Sequence, residues 1–234
     1  MRRVAIGALV VLALGLLSAA GSAQAMEWLC DGVAGKCKVK GENLEVVVFE
    51  DRGVPAAVEC RVGAVKSEGT AGSGVVDETT KVEVEDGGAA PACTPSAKAL
   101  NLKQEAETNG CGKVVSVSGV DLPWKTEIAE KEGESTWWDL ISAGGARQPG
   151  YELVCETSGI KITDTCTSNS EHAPLVLLEN GSEASVSAFF VAVPLEATQA
   201  ATCTIGGKEQ GFVIGEILLW DTGAGSEVLP LEIS

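Results

Sequence analysis

Eight cysteines (Cys30, Cys37, Cys60, Cys93, Cys111, Cys155, Cys166 and Cys203) constrain this sequence more than any other feature. None stands in the Cys-x-x-Cys spacing that thiolate metal sites use, and an even set in an exported chain reads as disulfides. No metal and no cofactor are implied. A preference for sequence neighbours pairs Cys30 with Cys37, Cys93 with Cys111, and Cys155 with Cys166. That leaves Cys60 with Cys203, a bridge that would tie the two ends of the domain together and stabilise it by about 4–5 kcal/mol in the loop-entropy account.

The compartment follows from the first 25 residues. Arg2 and Arg3 precede an apolar run from Val4 to Ala20, and Ala23-Gln24-Ala25 supplies the small-x-small pattern of a cleavage site. A signal peptide over residues 1–25 and a single all-β domain over 26–234 are expected. The competing reading is a membrane anchor, but the run is shorter than the roughly 20 residues of a full span. A lipid anchor would need a cysteine directly after the small residues, whereas Trp28 and Leu29 precede Cys30. No second stretch of membrane length follows, so the mature chain is expected outside the cytoplasmic membrane, secreted or extracellular.

Charge removes other classes. There are 33 acidic side chains against 17 basic, a net −16, and loss of Arg2 and Arg3 takes this to −18. Nucleic-acid affinity comes from Lys and Arg neutralising phosphates, so no nucleic-acid partner is expected. Anionic membrane surfaces are disfavoured for the same reason.

The mature chain is rich in Val, Thr, Ser and Gly, and its apolar residues mostly alternate. Strands are expected at Leu44–Phe49, Ala57–Val62, Gly74–Val76, Lys81–Glu85, Val114–Val120, Tyr151–Glu156 and Ile160–Thr165. Further ones are expected at Ala173–Leu178, Ala184–Val193, Ala201–Ile205, Gly211–Leu219 and Val228–Ile233. Short strands separated by Gly, Asn and Asp turns indicate an antiparallel β-sandwich or barrel. At most one short helix is expected. Thr94 would cap it, Pro95 would open it, and residues 97–107 supply helix formers, the alternative being an extended acidic loop.

Two internal tests arise. Cys60-Arg-Val-Gly63 with Gly74–Glu78 resembles Cys203-Thr-Ile-Gly206 with Gly211–Glu216, either a duplicated hairpin or two ordinary hairpins in a Gly- and Val-rich chain. If Ser158-Gly159 is a two-residue turn, Glu156 faces Lys161 and Cys155 faces Ile162. Cys166 then lies four residues, roughly 13 Å, further along. Bridged Cα atoms lie within about 7 Å, so that turn and a Cys155–Cys166 bridge exclude each other unless the chain bends back after Asp164.

Four segments carry a resemblance: Asp121-Leu-Pro-Trp-Lys-Thr-Glu127, Pro149-Gly-Tyr-Glu-Leu-Val-Cys155, Thr163-Asp-Thr-Cys166 and Gly211-Phe-Val-Ile-Gly-Glu216. Together they resemble a group of exported proteins of unknown function from high-GC Gram-positive soil bacteria. The resemblance implies export and a cysteine-bearing β fold, and nothing about catalysis.

Little in the sequence carries chemistry. His172, the single histidine, sits in a polar stretch without a Gly-x-Ser-x-Gly elbow, which speaks against a serine hydrolase. Gly69–Gly74 lacks the Lys-Ser/Thr of a phosphate loop. Asp77-Glu78 and Glu83–Asp86 offer oxygens for calcium, without a recognised spacing. Glu127, Glu130, Glu132, Glu134 and Asp139 surround Trp124, Trp137 and Trp138, making this the best place for a glycosidase carboxylate pair. A charged loop flanking core aromatics is the plainer alternative.

Only ten residues are Phe, Trp or Tyr, and half of these are Trp. In an extended segment Trp137 and Trp138 point to opposite faces. An exposed one beside Asp139 would form a stacking platform for a sugar. Burial of both is the alternative. The expectation is therefore a non-catalytic, exported, disulfide-stapled β protein that binds an envelope component or another partner. A carbohydrate-binding module for polysaccharide, using Trp137 or Trp138 with Asp139, and an extracellular glycosidase stand as alternatives.

Overall fold

The computed structural model describes residues 26–54, 56–72, 76–84, 91–96, 110–131, 136–143, 148–168, 175–181, 185–190, 201–223 and 231–233. The expected signal segment, His172 and most of the expected helix lie outside these. The described part of that helix, Thr94-Pro95, is the end of a strand. Among the described residues there is no helix, so none is long and apolar enough to cross a membrane.

The strands are β1 (Trp28–Cys30), β2 (Val33–Ala34), β3 (Cys37–Asn43), β4 (Val47–Asp51), β5 (Ala56–Cys60), β6 (Val65–Ala71), β7 (Val76–Val84), β8 (Cys93–Pro95) and β9 (Lys113–Val120). They continue with β10 (Trp124–Lys131), β11 (Thr136–Ala143), β12 (Gly150–Thr157), β13 (Ile160–Thr167), β14 (Leu175–Asn180), β15 (Val186–Phe190), β16 (Ala201–Cys203), β17 (Gly207–Asp221) and β18 (Leu231–Ile233). Every pairing is antiparallel, as alternating sequences with short connections favour. The expected strand at Leu44–Phe49 starts only at Val47. Buried Asn43 donates through Nδ2 to the carbonyls of Glu45 (2.5 Å) and Arg61 (2.9 Å), and that turns the chain through residues 44–46.

Hydrogen bonding runs β15-β14-β11-β10-β7-β9-β12-β13-β16-β17 and closes where β15 pairs with residues 215–219 of β17. β3 and β6 cross this ring as a chord between β17 and β7. The chord divides the ring into two adjoining barrel-like circuits, with β4, β5 and β8 attached along the first half of β17. Closure of this kind removes the unpaired edges that invite aggregation. A strand of 15 residues makes the sharing feasible. Its first half pairs with β16 and β4, its second with β15 and β3.

Each circuit encloses its own core. One gathers Val47, Phe49, Val58, Val65, Val117, Tyr151 and Leu153 with six of the cysteines. Phe49 and Tyr151, whose rings meet edge-on at 5.3 Å, are its only fully buried aromatics among the described residues. The other gathers Trp28, Ile128, Trp137, Ile141, Val176, Leu178 and Val186, closed by Leu231 and Ile233 of the small β18-β1-β2 sheet.

Four disulfides form, one within the expected pairings and three outside them. Cys30–Cys37 is as expected, with Cα atoms 5.9 Å apart. The others are Cys60–Cys93 (4.0 Å), Cys111–Cys155 (5.1 Å) and Cys166–Cys203 (4.0 Å). The expected Cys93–Cys111, Cys155–Cys166 and Cys60–Cys203 bridges are corrected by strand order. Cys93 lies opposite Cys60 in β8–β5 and Cys166 opposite Cys203 in β13–β16, while Cys111 leads into β9 beside β12, where Cys155 sits. The two-residue turn is present: Ser158 and Gly159 have φ of 54° and 77°, the left-handed pair of a type I′ hairpin. As that turn demands, Cys155 faces Ile162 and Glu156 faces Lys161, so the Cys155–Cys166 bridge is excluded. Four disulfides place the protein in an oxidising, extracellular-type environment.

The two look-alike segments are not one repeated hairpin. β16 and β17 pair with each other, whereas β5 pairs with β4 and β8, and β7, which holds residues 76–78, pairs with β6, β9 and β10.

Candidate functional site

The segment expected to be a charged loop is instead the hairpin-like pair β10–β11. Burial alternates along β11 because successive side chains leave the strand on opposite faces. Trp137 is 2% exposed and packs in the core with Ile128 and Leu178. Trp138 is half-buried on the other face, in register with Glu130 and Leu177. Asp139 returns to the inside at 5% exposure. An exposed Trp137, and an exposed Asp139 beside it, are thereby corrected, and the platform reading rests on Trp138 alone.

Inside this circuit Asp139 meets Asp77 of β7 around Thr126 of β10. Thr126 lies opposite Asp77 in register, and its hydroxyl donates to the Asp77 carboxylate. Burial pushes the Asp77 carboxyl up to about 6, with the Thr126 hydroxyl and the Trp28 indole N–H pulling it partway back. Asp139 is driven well above the usual carboxylate range, first by burial and then by the charge on Asp77. Its Oδ1 is buried without a hydrogen-bond partner. Asp139 faces the interior at 5% exposure, opposite Ile128 in register and on the same face of β11 as Trp137.

Among the described side chains of this cluster, Glu127 does not form a glycosidase pair with Asp139. Glu127 lies opposite Leu140 on the outer face of the same sheet, so the sheet separates it from Asp139. Glu132 and Glu134 lie outside the described residues. Of the acids considered for calcium, Asp77 is engaged by Thr126, and Glu83 pairs with Lys81. Gly69 and Ala71 are residues of strand β6, not of a phosphate loop.

A second acidic pair was not singled out from the sequence. Asp51 ends β4 at 1% exposure, and Asp164 points inward from β13 at 5%. Asp51 Oδ1 accepts the Gly53 N–H at 2.8 Å. Asp164 Oδ1 accepts from the Thr204 hydroxyl at 2.8 Å and the Ile205 N–H at 3.1 Å. The Gly206 N–H also serves Asp51, and a Cβ at Gly206 would collide with that carboxylate, so only glycine fits the turn here. The Asp51 carboxyl is pushed up to about 6, first by burial and then by Asp164, with the Gly53 N–H opposing. Asp51 Oδ2 is buried, and the two carboxyls share a side-chain hydrogen bond.

The Cys166–Cys203 disulfide adjoins this pair: one carboxylate oxygen of each Asp and both sulfurs lie within 4.8 Å of one another. Tyr151, whose hydroxyl donates to the Glu50 carbonyl at 2.5 Å, is raised well above its ordinary pKa by burial and then by Asp51 and Asp164. One signal in the sequence pointed here. In Thr163-Asp-Thr-Cys166 the acid shares the inward parity of a core cysteine.

No family model matches the chain, and no curated protein and no solved structure matches it either.

Proposed function

We propose that this is an exported, non-catalytic interaction protein, a disulfide-stapled β body acting outside the cytoplasmic membrane against an envelope component or another partner. The observation that carries this reading is the placement of the acids. The buried carboxyls Asp51, Asp164 and Asp139 face the two cores, and Asp51 and Asp164 fasten turns there through Gly53, Thr204 and Ile205. The signal-like N-terminus and the resemblance to exported proteins of high-GC Gram-positive soil bacteria support the location. Expression from the full sequence in such a host, followed by fractionation, tests it. Mature protein beginning near Met26, recovered outside the membrane with no free thiol, is the expected result. Retention of full-length reduced chain in the cytoplasm would overturn it.

One observation favours a second reading, carbohydrate binding. Trp138 is half-buried on the face of β11 opposite Trp137 and Asp139, and an indole is the side chain that stacks best on a sugar ring. Incubation with insoluble cell-wall and plant polysaccharides should deplete the wild type from the supernatant and leave Trp138→Ala in solution. Equal behaviour of the two proteins removes this reading.

A further inference from the structure

We infer that Asn180-Gly181 is a self-modification site, a deamidation switch that contacts to Ile233 hold shut and whose product cannot restore those contacts. The inference does not rest on the interaction role above. Its chemistry lies in the sequence. The backbone nitrogen after an asparagine attacks the side-chain amide carbon most readily when it belongs to glycine, because no Cβ crowds the approach. The sequence holds two such pairs, Asn109-Gly110 and Asn180-Gly181. Gly181 directly follows β14 and is exposed, so water reaches the bond.

Three hydrogen bonds hold the reacting atoms apart. Asn180 Nδ2 donates to the Ile233 carbonyl at 2.8 Å, and Asn180 Oδ1 accepts the Ile233 N–H at 2.9 Å. The carboxamide is thereby directed to β18 rather than to the Gly181 nitrogen. That nitrogen is itself committed, since its N–H donates to the Ser185 carbonyl at 2.6 Å. Attack therefore requires β18 to open from β14. The rate in the folded protein is the unprotected rate scaled by the open fraction, as for an exchanging amide.

Asn43 shows what is particular here. It is gripped as closely, donating to the carbonyls of Glu45 and Arg61 and accepting the Val65 N–H, but Leu44 follows it and obstructs attack. Only at Asn180, among the described residues, does a reactive pair coincide with a clamp. That clamp fastens the β18-β1-β2 sheet, whose Trp28, Leu231 and Ile233 close the second core over Ile128, Trp137 and Leu178.

The step balances without oxidant or reductant. The Gly181 nitrogen gives up its proton and bonds to Asn180 Cγ, while Nδ2 takes up a proton and leaves as ammonia. Water then opens the cyclic imide at either carbonyl, giving aspartate or isoaspartate. In aspartate an oxygen stands where Nδ2 donated, so the Ile233 carbonyl meets a second acceptor and loses its donor. Isoaspartate also lengthens the main chain by one carbon and shifts the Asn180–Val186 register. The change is irreversible, so an opening of β18 is recorded as a permanent release of the small sheet.

The test incubates the purified, disulfide-bonded protein at mildly alkaline pH, with and without concentrated urea, and follows each asparagine by peptide mapping. In urea Asn180 and Asn109 should convert at similar rates, with Asn43 far slower. In the folded protein Asn180 should convert about tenfold or more slowly than in urea. Leu231→Ala, which loosens β18, should raise that folded-state rate about tenfold or more. Should Leu231→Ala fail to fold, Ile233→Val should raise it several-fold. Val58→Ala, in the first core, should leave it unchanged. Equal rates with and without urea would overturn the inference, and so would equal acceleration by Val58→Ala, which would assign control to global unfolding. The aged fraction and Asn180→Asp should both show faster amide exchange at Ile233 with the Tyr151 amide still protected. Unchanged exchange at Ile233 in both would refute the switch.

Discussion

The side-chain amide of Asn180 grips the backbone of Ile233 from both sides, donating from Nδ2 to its carbonyl at 2.8 Å and accepting its N–H at Oδ1 at 2.9 Å. Asn180 ends β14 and Ile233 lies in β18, 53 residues later. This clamp holds the small β18-β1-β2 sheet, with Trp28, Leu231 and Ile233, over the second core. Asn180→Ala is expected to cost about 1–3 kcal/mol, because it leaves a donor and an acceptor without their partner. Amide exchange at Ile233 should accelerate while the Tyr151 amide, in the first core, stays protected. Equal acceleration at both would show that the clamp is not local.

The disulfides differ in the loops they close. Sequence separations of 33, 44 and 37 for Cys60–Cys93, Cys111–Cys155 and Cys166–Cys203 exceed the 7 of Cys30–Cys37. In the loop-entropy account the long loops contribute about 4 kcal/mol each and the short one about 2. Paired Cys→Ser replacement should therefore lower Tm least for C30S/C37S. Peptide mapping under non-reducing conditions should recover the four pairs named, and recovery of a Cys93–Cys111 fragment would contradict the strand order.

Adjacent tryptophans should respond in opposite ways. Trp137→Ala empties a core site and is expected to destabilise the protein by about 3–5 kcal/mol. Trp138→Ala, on the half-buried face, should cost about 1 kcal/mol or less. Denaturant midpoints check this, and a larger loss at Trp138 would mean that the faces of β11 are assigned the wrong way round.

Stability should rise on mild acidification. Burial pushes the Asp77 carboxyl up to about 6 and holds Asp139 well above the ordinary carboxylate range, whereas an unfolded Asp titrates at about 3.9. The folded state therefore binds protons more tightly. The stability this brings is complete below the unfolded value and is lost as pH rises through about 6. Tm should fall between about pH 4 and pH 7 for the wild type. Asp139→Asn, which cannot ionise, should show a shallower fall and a higher Tm at neutral pH. An unchanged slope would place the pH dependence elsewhere.

Residues 160–167 show how much of this was legible beforehand. Alternation gave the strand expected at Ile160–Thr165, a local property. The facing of Cys155 by Ile162 followed only on the condition of a tight Ser158-Gly159 turn, which the expected Cys155–Cys166 bridge opposed and the structure adopts. The β10–β11 segment was missed because its acids and lysines read as a solvated loop. Its inward set (Thr126, Ile128, Trp137, Asp139 and Ile141) mixes polar with apolar residues.

By itself the sequence determined the all-β character, the antiparallel sense and the even cysteine set. Each follows from side chains a few residues apart. Tertiary structure alone decided which cysteines meet, which strands share β17, and that Asp51 finds Asp164 while Asp77 finds Asp139. Those contacts join strands far apart in the chain. They depend on the order of strands around closed circuits, which local alternation leaves open because any two alternating strands can pair.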